Sequence, residues 1–251
     1  MGQILILLDR RGQKYAAPVD GPMARVPDLG TFESANLLKH VGRRIDLGKR
    51  SLLVLEPSRR DLHETMQHGP QTLVPKDLAA ILYEADIVPG ALVVEAGAGS
   101  GGLTVALARA VGAAGRVVSY DMSEDALRVA RANVASAGFE SAEFRLGDIR
   151  KGVPDRDVNA VVLDLVDPWA AVGAAWEALR PCGHLATFSP NMEQMKETVA
   201  SMSTRPFVDV RTIEIIEREM EVRDVGVRPS FAPLGHTGYL TFARKVLEPF
   251  P

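Results

Sequence analysis

Cysteine is almost missing from this 251-residue chain, where Cys182 stands alone. A single thiol excludes an internal disulfide framework and any multi-cysteine zinc site, and it suits a reducing cytoplasm. No run approaches the roughly 20 apolar residues that cross a bilayer, so the sequence offers no membrane span. The opening apolar run of five residues ends at Asp9-Arg10-Arg11 without a small-residue cleavage site, and reads as a strand rather than a signal peptide. Internal repeats and low-complexity segments are missing too. So is the excess of positive charge common in nucleic-acid binders: the formal net charge is −3, which alone argues mildly against such a partner.

What is present is ordinary for a globular chain, with 46 % hydrophobic and 24 % charged residues. The length allows one large α/β domain, or a medium domain with a small companion. The charge is unevenly spread. Residues 1–65 carry net +3, residues 66–204 net −6 and residues 205–251 net 0. The basic flank includes Arg10-Arg11, Arg43-Arg44, Lys49-Arg50 and Arg59-Arg60, a pattern that solvated surfaces also show.

Short β-like runs fill the first 65 residues at Gln3–Leu8, Lys14–Ala17, Arg43–Ile45 and Leu52–Glu56. They predict a small all-β domain, 1–65. Residues 66–76 read as a linker, and a helix is expected over Asp77–Asp86 with Asp77 as its N-cap. From residue 91 strands and helices alternate. Strands are expected at Ala91–Glu95, Arg116–Tyr120, Glu143–Leu146, Asn159–Leu163 and His184–Phe188. Helices are expected at Gly102–Val111, Glu124–Ala137, Ala170–Leu179 (stopped by Pro181) and Met192–Met202. Two closing strands, Val208–Glu217 and Tyr239–Val246, lack a helix between them and should pair antiparallel at one edge. The pattern is that of an α/β protein with a mostly parallel, doubly wound sheet over 66–251.

The sharpest motif is Val93-Val-Glu-Ala-Gly-Ala-Gly-Ser-Gly-Gly-Leu-Thr, on the turn between the first strand of that sheet and its helix. Gly97, Gly99 and Gly102 satisfy G-x-G-x-x-G, and Asp121 follows about 20 residues later, as in dinucleotide sites. The same stretch satisfies E-x-G-x-G-x-G through Glu95, Gly97, Gly99 and Gly101, the form used for S-adenosylmethionine. Both readings rest on glycines that bring backbone N–H groups close to a ligand, and on an acid that accepts from ribose hydroxyls. Three features favour the methyl donor. Glu95 suits an ammonium and a sulfonium better than a pyrophosphate. Asp148, closing the third strand, can accept from an adenine amino group. The antiparallel last strand is the usual edge of a class I methyltransferase sheet.

Asp164 ends the apolar strand 158–163, at the edge where ligands bind in this architecture. Asp167 precedes Pro168 and fits an N-cap better than a catalytic group. His63 and His68 read as surface rather than as metal ligands, and Cys182 as packing.

Glu95–Thr104, Ser119-Tyr-Asp, Gly147-Asp148, Asp164-Leu-Val-Asp-Pro-Trp, Pro190-Asn-Met-Glu-Gln194, Arg228-Pro229 and Gly235-His-Thr-Gly-Tyr-Leu240 together resemble the tRNA (adenine-58-N1) methyltransferases. Gly69-Pro-Gln-Thr-Leu-Val-Pro-Lys-Asp77 matches as well, so the resemblance runs over residues 66–246. It implies a Rossmann-like class I methyltransferase sheet behind a small N-terminal β domain, S-adenosylmethionine as cofactor, and tRNA as partner. It also implies a cytoplasmic homotetramer that needs no metal or membrane. The acidic middle then holds the donor and target base, and a tetramer can assemble basic patches from several subunits.

The donor site implied comprises Gln71, Glu95, Gly97, Ala98, Gly99, Ser100, Gly101, Gly102, Leu103, Asp121, Met122, Asp148, Ile149 and Asp164. Asp164 is the catalytic carboxylate, accepting from the exocyclic amino group of the target adenine. Val74, Trp169, Gln194, Arg228, His236 and Thr237 line the substrate side, with Asn191 beside them. Two residues depart from the family pattern. Val74 stands where many members carry an aromatic or histidine near the base, and Val166 replaces a proline. Methylation of the neighbouring adenine 57 is left open. Three rivals remain: a protein isoaspartyl carboxyl methyltransferase, an NAD-dependent oxidoreductase and a catalytically silent tRNA-binding subunit.

Overall fold

Among the first strands, residues 4–8 are a continuous apolar run in which Leu5, Ile6 and Leu7 are all buried, so both faces are covered there, whereas along 23–26 only alternate residues, Ala24 and Val26, are buried. In the computed structural model, which describes residues 3–48, 50–67, 69, 73–232 and 234–248, these strands are β1 (Ile4–Asp9), β2 (Lys14–Pro18), β3 (Met23–Val26) and β4 (Gly30–Glu33). A short helix α1 (Ser34–Lys39) follows, then β5 (Arg44–Leu47) and β6 (Arg50–Leu55). One antiparallel sheet has the order β2-β1-β6-β5, and β3 pairs with β4 apart from it. Leu5, Leu7, Leu37, Leu52 and Val54 are packed between them. The expectation of an all-β module misses α1, whose Leu37 is fully buried, and the β3–β4 hairpin.

A second helix, α2 (Arg59–Thr65), closes this part with a capping box: Ser58 accepts from the Asp61 N–H and Asp61 from the Ser58 N–H. It places His63 half-buried rather than on the surface; His68 lies outside the described residues. Helix α3 (Pro75–Glu84) starts two residues before the expected Asp77. Proline favours the first helical position, so Val74 takes the cap position and Asp77 falls within the first turn, 1 % exposed.

The larger sheet has seven strands. In chain order its elements are β7 (Leu92–Ala96), α4 (Gly102–Val111), β8 (Arg116–Asp121), α5 (Glu124–Ser136), β9 (Ala142–Leu146) and β10 (Val158–Asp164). There follow α6 (Val172–Ala178), β11 (Leu179–Ser189), α7 (Met192–Met202), β12 (Phe207–Glu214), the hairpin β13 (Met220–Arg223) and β14 (Gly226–Pro229), and β15 (Tyr239–Lys245). The spatial order is β12-β15-β11-β10-β7-β8-β9. Strands β7 to β11 run parallel, while β15 is antiparallel to both β11 and β12. This is the Rossmann-like methyltransferase arrangement. Alternate residues feed opposite faces: Val93 packs with Leu107 and Ile81 on one side, Val94 with Leu163, Leu185 and Met202 on the other.

Three local expectations are corrected. A 3-10 turn, Pro168–Ala171, precedes α6, which ends at Ala178; Pro181 then falls inside β11. There the register jumps, Val158 pairing with Leu179 but Ala160 with His184, so the proline sits on a bulge that needs no ladder hydrogen bond. Cys182, with φ +64°, is exposed on that bulge instead of packed. The long strand expected to Glu217 stops at Glu214, and the β13–β14 hairpin beyond it was not anticipated. At the α6–β11 junction the buried Lys245 ammonium donates to the Trp176 and Leu179 carbonyls at 2.7 and 2.6 Å.

Candidate active site

The chain passes from β7 outward to β8 and β9, then returns to lay β10 on the other side of β7. The carboxyl ends of β7 and β10 therefore flank the point where strand order reverses, the usual ligand crevice of such sheets. Gly97 leaves β7 with φ +92°, and a Cβ there would lie 1.9 Å from the Asp164 carbonyl oxygen. Only glycine fits, and the glycine loop is thereby seated directly on the end of β10. Gly97 and Ala98 donate to the Tyr120 carbonyl at 2.9 and 3.2 Å. Gly99 donates to Asp121 Oδ2 at 3.0 Å, while Asp121 Oδ1 accepts from the Ser123 N–H at 2.8 Å. Gly101, at φ +84°, caps α4 and approaches Ala130 of α5 so closely that a Cβ would stand 3.0 Å from its Cα. Gly102 and Leu103 begin α4 and are buried, as is Ser100. Asn133, which the sequence did not single out, donates to the Ser100 and Gln67 carbonyls at 2.8 Å each and holds the loop from behind.

A cavity of about 280 Å3 opens at this crevice, lined by Gly97, Asp121, Met122, Asp148, Ile149 and Asp164 among others. Six residues expected at the donor site thus converge on one space. Glu95 does not line it. Its side chain is fully buried, with Oε2 accepting from Thr104 Oγ1 at 2.6 Å and the Ser119 hydroxyl beside it as a second donor. Burial pushes its carboxyl up to about 8. Gln71 lies outside the described residues.

Arg150 is a site residue that sequence reasoning missed. It donates to both Asp148 oxygens, at 2.7 and 3.0 Å, and to Asp167 Oδ2 at 2.6 Å, and it touches Met122 Sδ at 3.2 Å. Its guanidinium holds the Asp148 carboxyl below the usual carboxylate range. Asp167 sits at the cap position of the 3-10 turn as expected, yet its side chain makes no cap bond and pairs with Arg150 instead.

Asp164 is half-buried at the tip of β10, with no hydrogen bond or ion pair to its carboxylate among the described residues. Burial raises it to about 6. A carboxylate left unpaired in a crevice is available to a ligand.

The substrate-side candidates divide. Val74 and Pro75 line a second cavity of about 300 Å3 with Arg60, Glu217, Glu219 and Leu234. Trp169 is half-buried in the 3-10 turn. Asn191 caps α7 by accepting from the Gln194 N–H at 2.9 Å, and Gln194 Oε1 is buried without a partner among the described residues. Arg228 is committed within the hairpin: it pairs with Glu221 at 2.7 Å and lies 3.7 Å from the centre of the Phe231 ring. His236 bonds Glu214 Oε1 at 2.6 Å and the Pro190 carbonyl at 3.0 Å. Thr237 donates to Asp77 Oδ2 at 2.8 Å.

Residues 52–230 match the family model described as "tRNA methyltransferase complex GCD14 subunit". The chain belongs to that family. Among curated relatives, the tRNA (adenine(57)-N(1)/adenine(58)-N(1))-methyltransferase TrmI of Methanocaldococcus jannaschii is 36 % identical, over 97 % of this chain and 95 % of the relative. The tRNA (adenine(58)-N(1))-methyltransferase TrmI of Thermus thermophilus is 33 % identical over 96 % of each chain. Among solved structures, an S-adenosylmethionine-dependent O-methyltransferase of Thermotoga maritima aligns with a TM-score of 0.87 and 28 % identity, over 100 % of this chain and 95 % of its own. The tRNA (m1A58) methyltransferase TrmI of Aquifex aeolicus shares the fold, with a TM-score of 0.77 at 18 % identity over 98 % of each chain. As a member of this tRNA methyltransferase family, the chain is a methyltransferase rather than the oxidoreductase that G-x-G-x-x-G left open. Among the described residues no group of three or more His, Cys, Asp or Glu is placed to hold a metal, and no helix is long and apolar enough to cross a membrane.

Proposed function

We propose that this chain transfers a methyl group from S-adenosylmethionine to N1 of adenine 58 in the T-loop of tRNA. The observation that carries the reading is the seating of Gly97 on the Asp164 carbonyl, which puts a donor loop and an unpaired carboxylate at one crevice. The residues fit the donor. Asp121 and Asp148 line the cavity as acceptors for ribose hydroxyls and an adenine amino group. When bound, the donor supplies a methyl group activated by its sulfonium.

N1 lies on the Watson–Crick edge, so the base must leave its pairing before its in-plane lone pair can reach the methyl. Positive charge then grows on the ring. Asp164, accepting from the exocyclic amino group, orients the base and stabilises that charge, which is positional and electrostatic catalysis. Gln194, Trp169 and Val74 bound the space on the substrate side in this reading.

The proposal extends to the assembly. Residues 1–65 act as a small β domain before the methyltransferase domain, 66–251, joined where Leu62 of α2 packs on Val105 and Val134. A cytoplasmic homotetramer would cover the exposed Val222, Val225, Val227 and Phe231 around the hairpin, 62 to 95 % exposed in one chain. Sedimentation at micromolar protein reads its mass directly, and a monomer would refute the tetramer. For the chemistry, S-adenosylmethionine should raise the melting temperature and NAD should not. Nucleoside analysis after reaction with unmodified tRNA should give N1-methyladenosine; a ribose O-methyl product or a methylated protein would refute the assignment.

A further inference from the structure

Two motifs that the donor cavity leaves unused, Val74-Pro-Lys-Asp77 and Gly235-His-Thr237, meet inside the protein. Lys76 donates to Asp77 Oδ1 at 2.7 Å and to Thr237 Oγ1 at 2.6 Å, and the Thr237 hydroxyl donates to Asp77 Oδ2 at 2.8 Å. The ring is closed, and both Asp77 oxygens are used. The Lys76 and Asp77 side chains are only 5 and 1 % exposed. Burying an ion pair removes both charges from water, a cost that apolar residues of similar size would not incur. What the trio does that apolar packing cannot is fix one geometry. Lys76 and Asp77 are neighbours in the first turn of α3, so Thr237 is the member that brings in a distant segment.

That segment is anchored onward. His236, next to Thr237, reaches Glu214 on β12 and the Pro190 carbonyl just before α7. Both partners are acceptors, so both contacts are hydrogen bonds only when the imidazole carries two protons. Gly238 completes the fit: a Cβ there would meet the Phe188 ring at 2.4 Å and the Ser189 carbonyl at 2.9 Å. An unbroken chain thus runs from Val74 and the cavity beside it, through Thr237 and His236, to Asn191 and Gln194 at the start of α7.

We propose that Lys76, Asp77, Thr237 and His236 are positioning residues that hold the two walls of the substrate mouth, Val74–Pro75 and Asn191–Gln194, at a fixed separation for the incoming base. The inference rests on the tRNA methyltransferase reading. It moves His236 and Thr237 from RNA contact to wall alignment. Glu214 on β12 and Lys76 on α3 are the charged groups facing His236, with the Tyr239 ring of β15 at 4.9 Å. Glu214 and the Pro190 carbonyl favour the imidazolium and Lys76 opposes it, with a net rise above the ordinary histidine value.

Thr237→Val keeps the side-chain shape without the hydroxyl, Thr237→Ser keeps the hydroxyl, and His236→Gln removes the charge from an exposed position. The experiment measures donor affinity by calorimetry, and kcat and KM for unmodified tRNA from pH 6 to pH 9. Thr237→Val should bind donor within about twofold of wild type while kcat/KM for tRNA falls about 10- to 100-fold. Thr237→Ser should recover most of that loss. Wild-type KM for tRNA should rise as His236 deprotonates, and His236→Gln should show a high KM with that pH dependence gone. Unchanged kcat/KM in Thr237→Val, or parallel loss of donor affinity, overturns the inference. If Thr237→Val fails to fold, a wild-type KM–pH profile in His236→Gln overturns it alone. Donor binding without any methyl transfer by the wild type would instead strike the underlying reading, and this inference with it.

Discussion

Asp164, half-buried at the crevice, and Glu95, fully buried behind it, are two carboxyls that burial raises in different surroundings. Asp164 must be ionised to accept from the adenine amino group. With its carboxyl raised to about 6 in the free enzyme, kcat/KM should climb as pH rises through 6 and level off above 7. Initial rates at subsaturating tRNA from pH 5 to pH 8 measure this. The same shift has a stability sign. An acid raised in the folded state binds its proton more tightly there than unfolded, so stability is lost as pH climbs from the ordinary 3.8 to about 6. Asp164→Asn should therefore melt higher than wild type at pH 8, by up to about 3 kcal/mol of stability, and lose that advantage below pH 4. Its turnover should drop about 100- to 1000-fold with donor binding retained. Glu95 lines no part of the cavity, and burial holds its carboxyl near 8. Its Oε2 accepts from Thr104 in α4. Glu95→Gln keeps an acceptor for Thr104, so donor affinity measured by calorimetry should stay within about threefold of wild type, and a larger loss would show that the carboxylate itself meets the donor.

At the scale of elements, the glycine loop and the end of β10 behave as one part. Gly97→Ala pushes a methyl group into the Asp164 carbonyl, so loop and strand must separate. Donor affinity should fall at least about tenfold, roughly 1.4 kcal/mol, in a titration of the folded variant. Much of this architecture was legible from residue order alone, because strand–helix alternation and the spacing of Gly97, Gly99 and Asp121 are local signals. What escaped prediction depends on distant partners. The β13–β14 hairpin pairs Met220-Glu-Val-Arg with Gly226-Val-Arg-Pro and leaves Val222 and Val227 exposed, so no buried face marked it. Arg150 reads as one basic residue among several until the fold lays Asp148 and Asp167 on either side of it. Thr237 and Asp77 lie 160 residues apart, and nothing local announces their bond. The capping box Ser58-Arg-Arg-Asp61 and Pro75 at the start of α3 are readable signals, but the first fell inside the expected all-β module and the second inside the expected linker before an Asp77 cap.

For the whole molecule, the net charge of −3 is a poor guide to its partner. Several acids of the middle segment are spent on the crevice: Asp121 on the glycine loop, Asp148 on Arg150, Asp164 at the reacting edge and Glu95 beneath them. The basic surplus lies in the N-terminal 65 residues, outside the crevice. A polyanionic substrate is therefore compatible with an acidic chain, provided the base alone enters the site. The most direct measurement of the central claim is transfer of labelled methyl from S-adenosylmethionine to unmodified tRNA, compared with the same tRNA carrying guanosine at position 58. The account predicts N1-methyladenosine at 58 in the first and no methyl at that position in the second, where residual label would report adenine 57. Equal labelling of both that maps to neither adenine, or no labelling of tRNA by donor-bound enzyme, would contradict it.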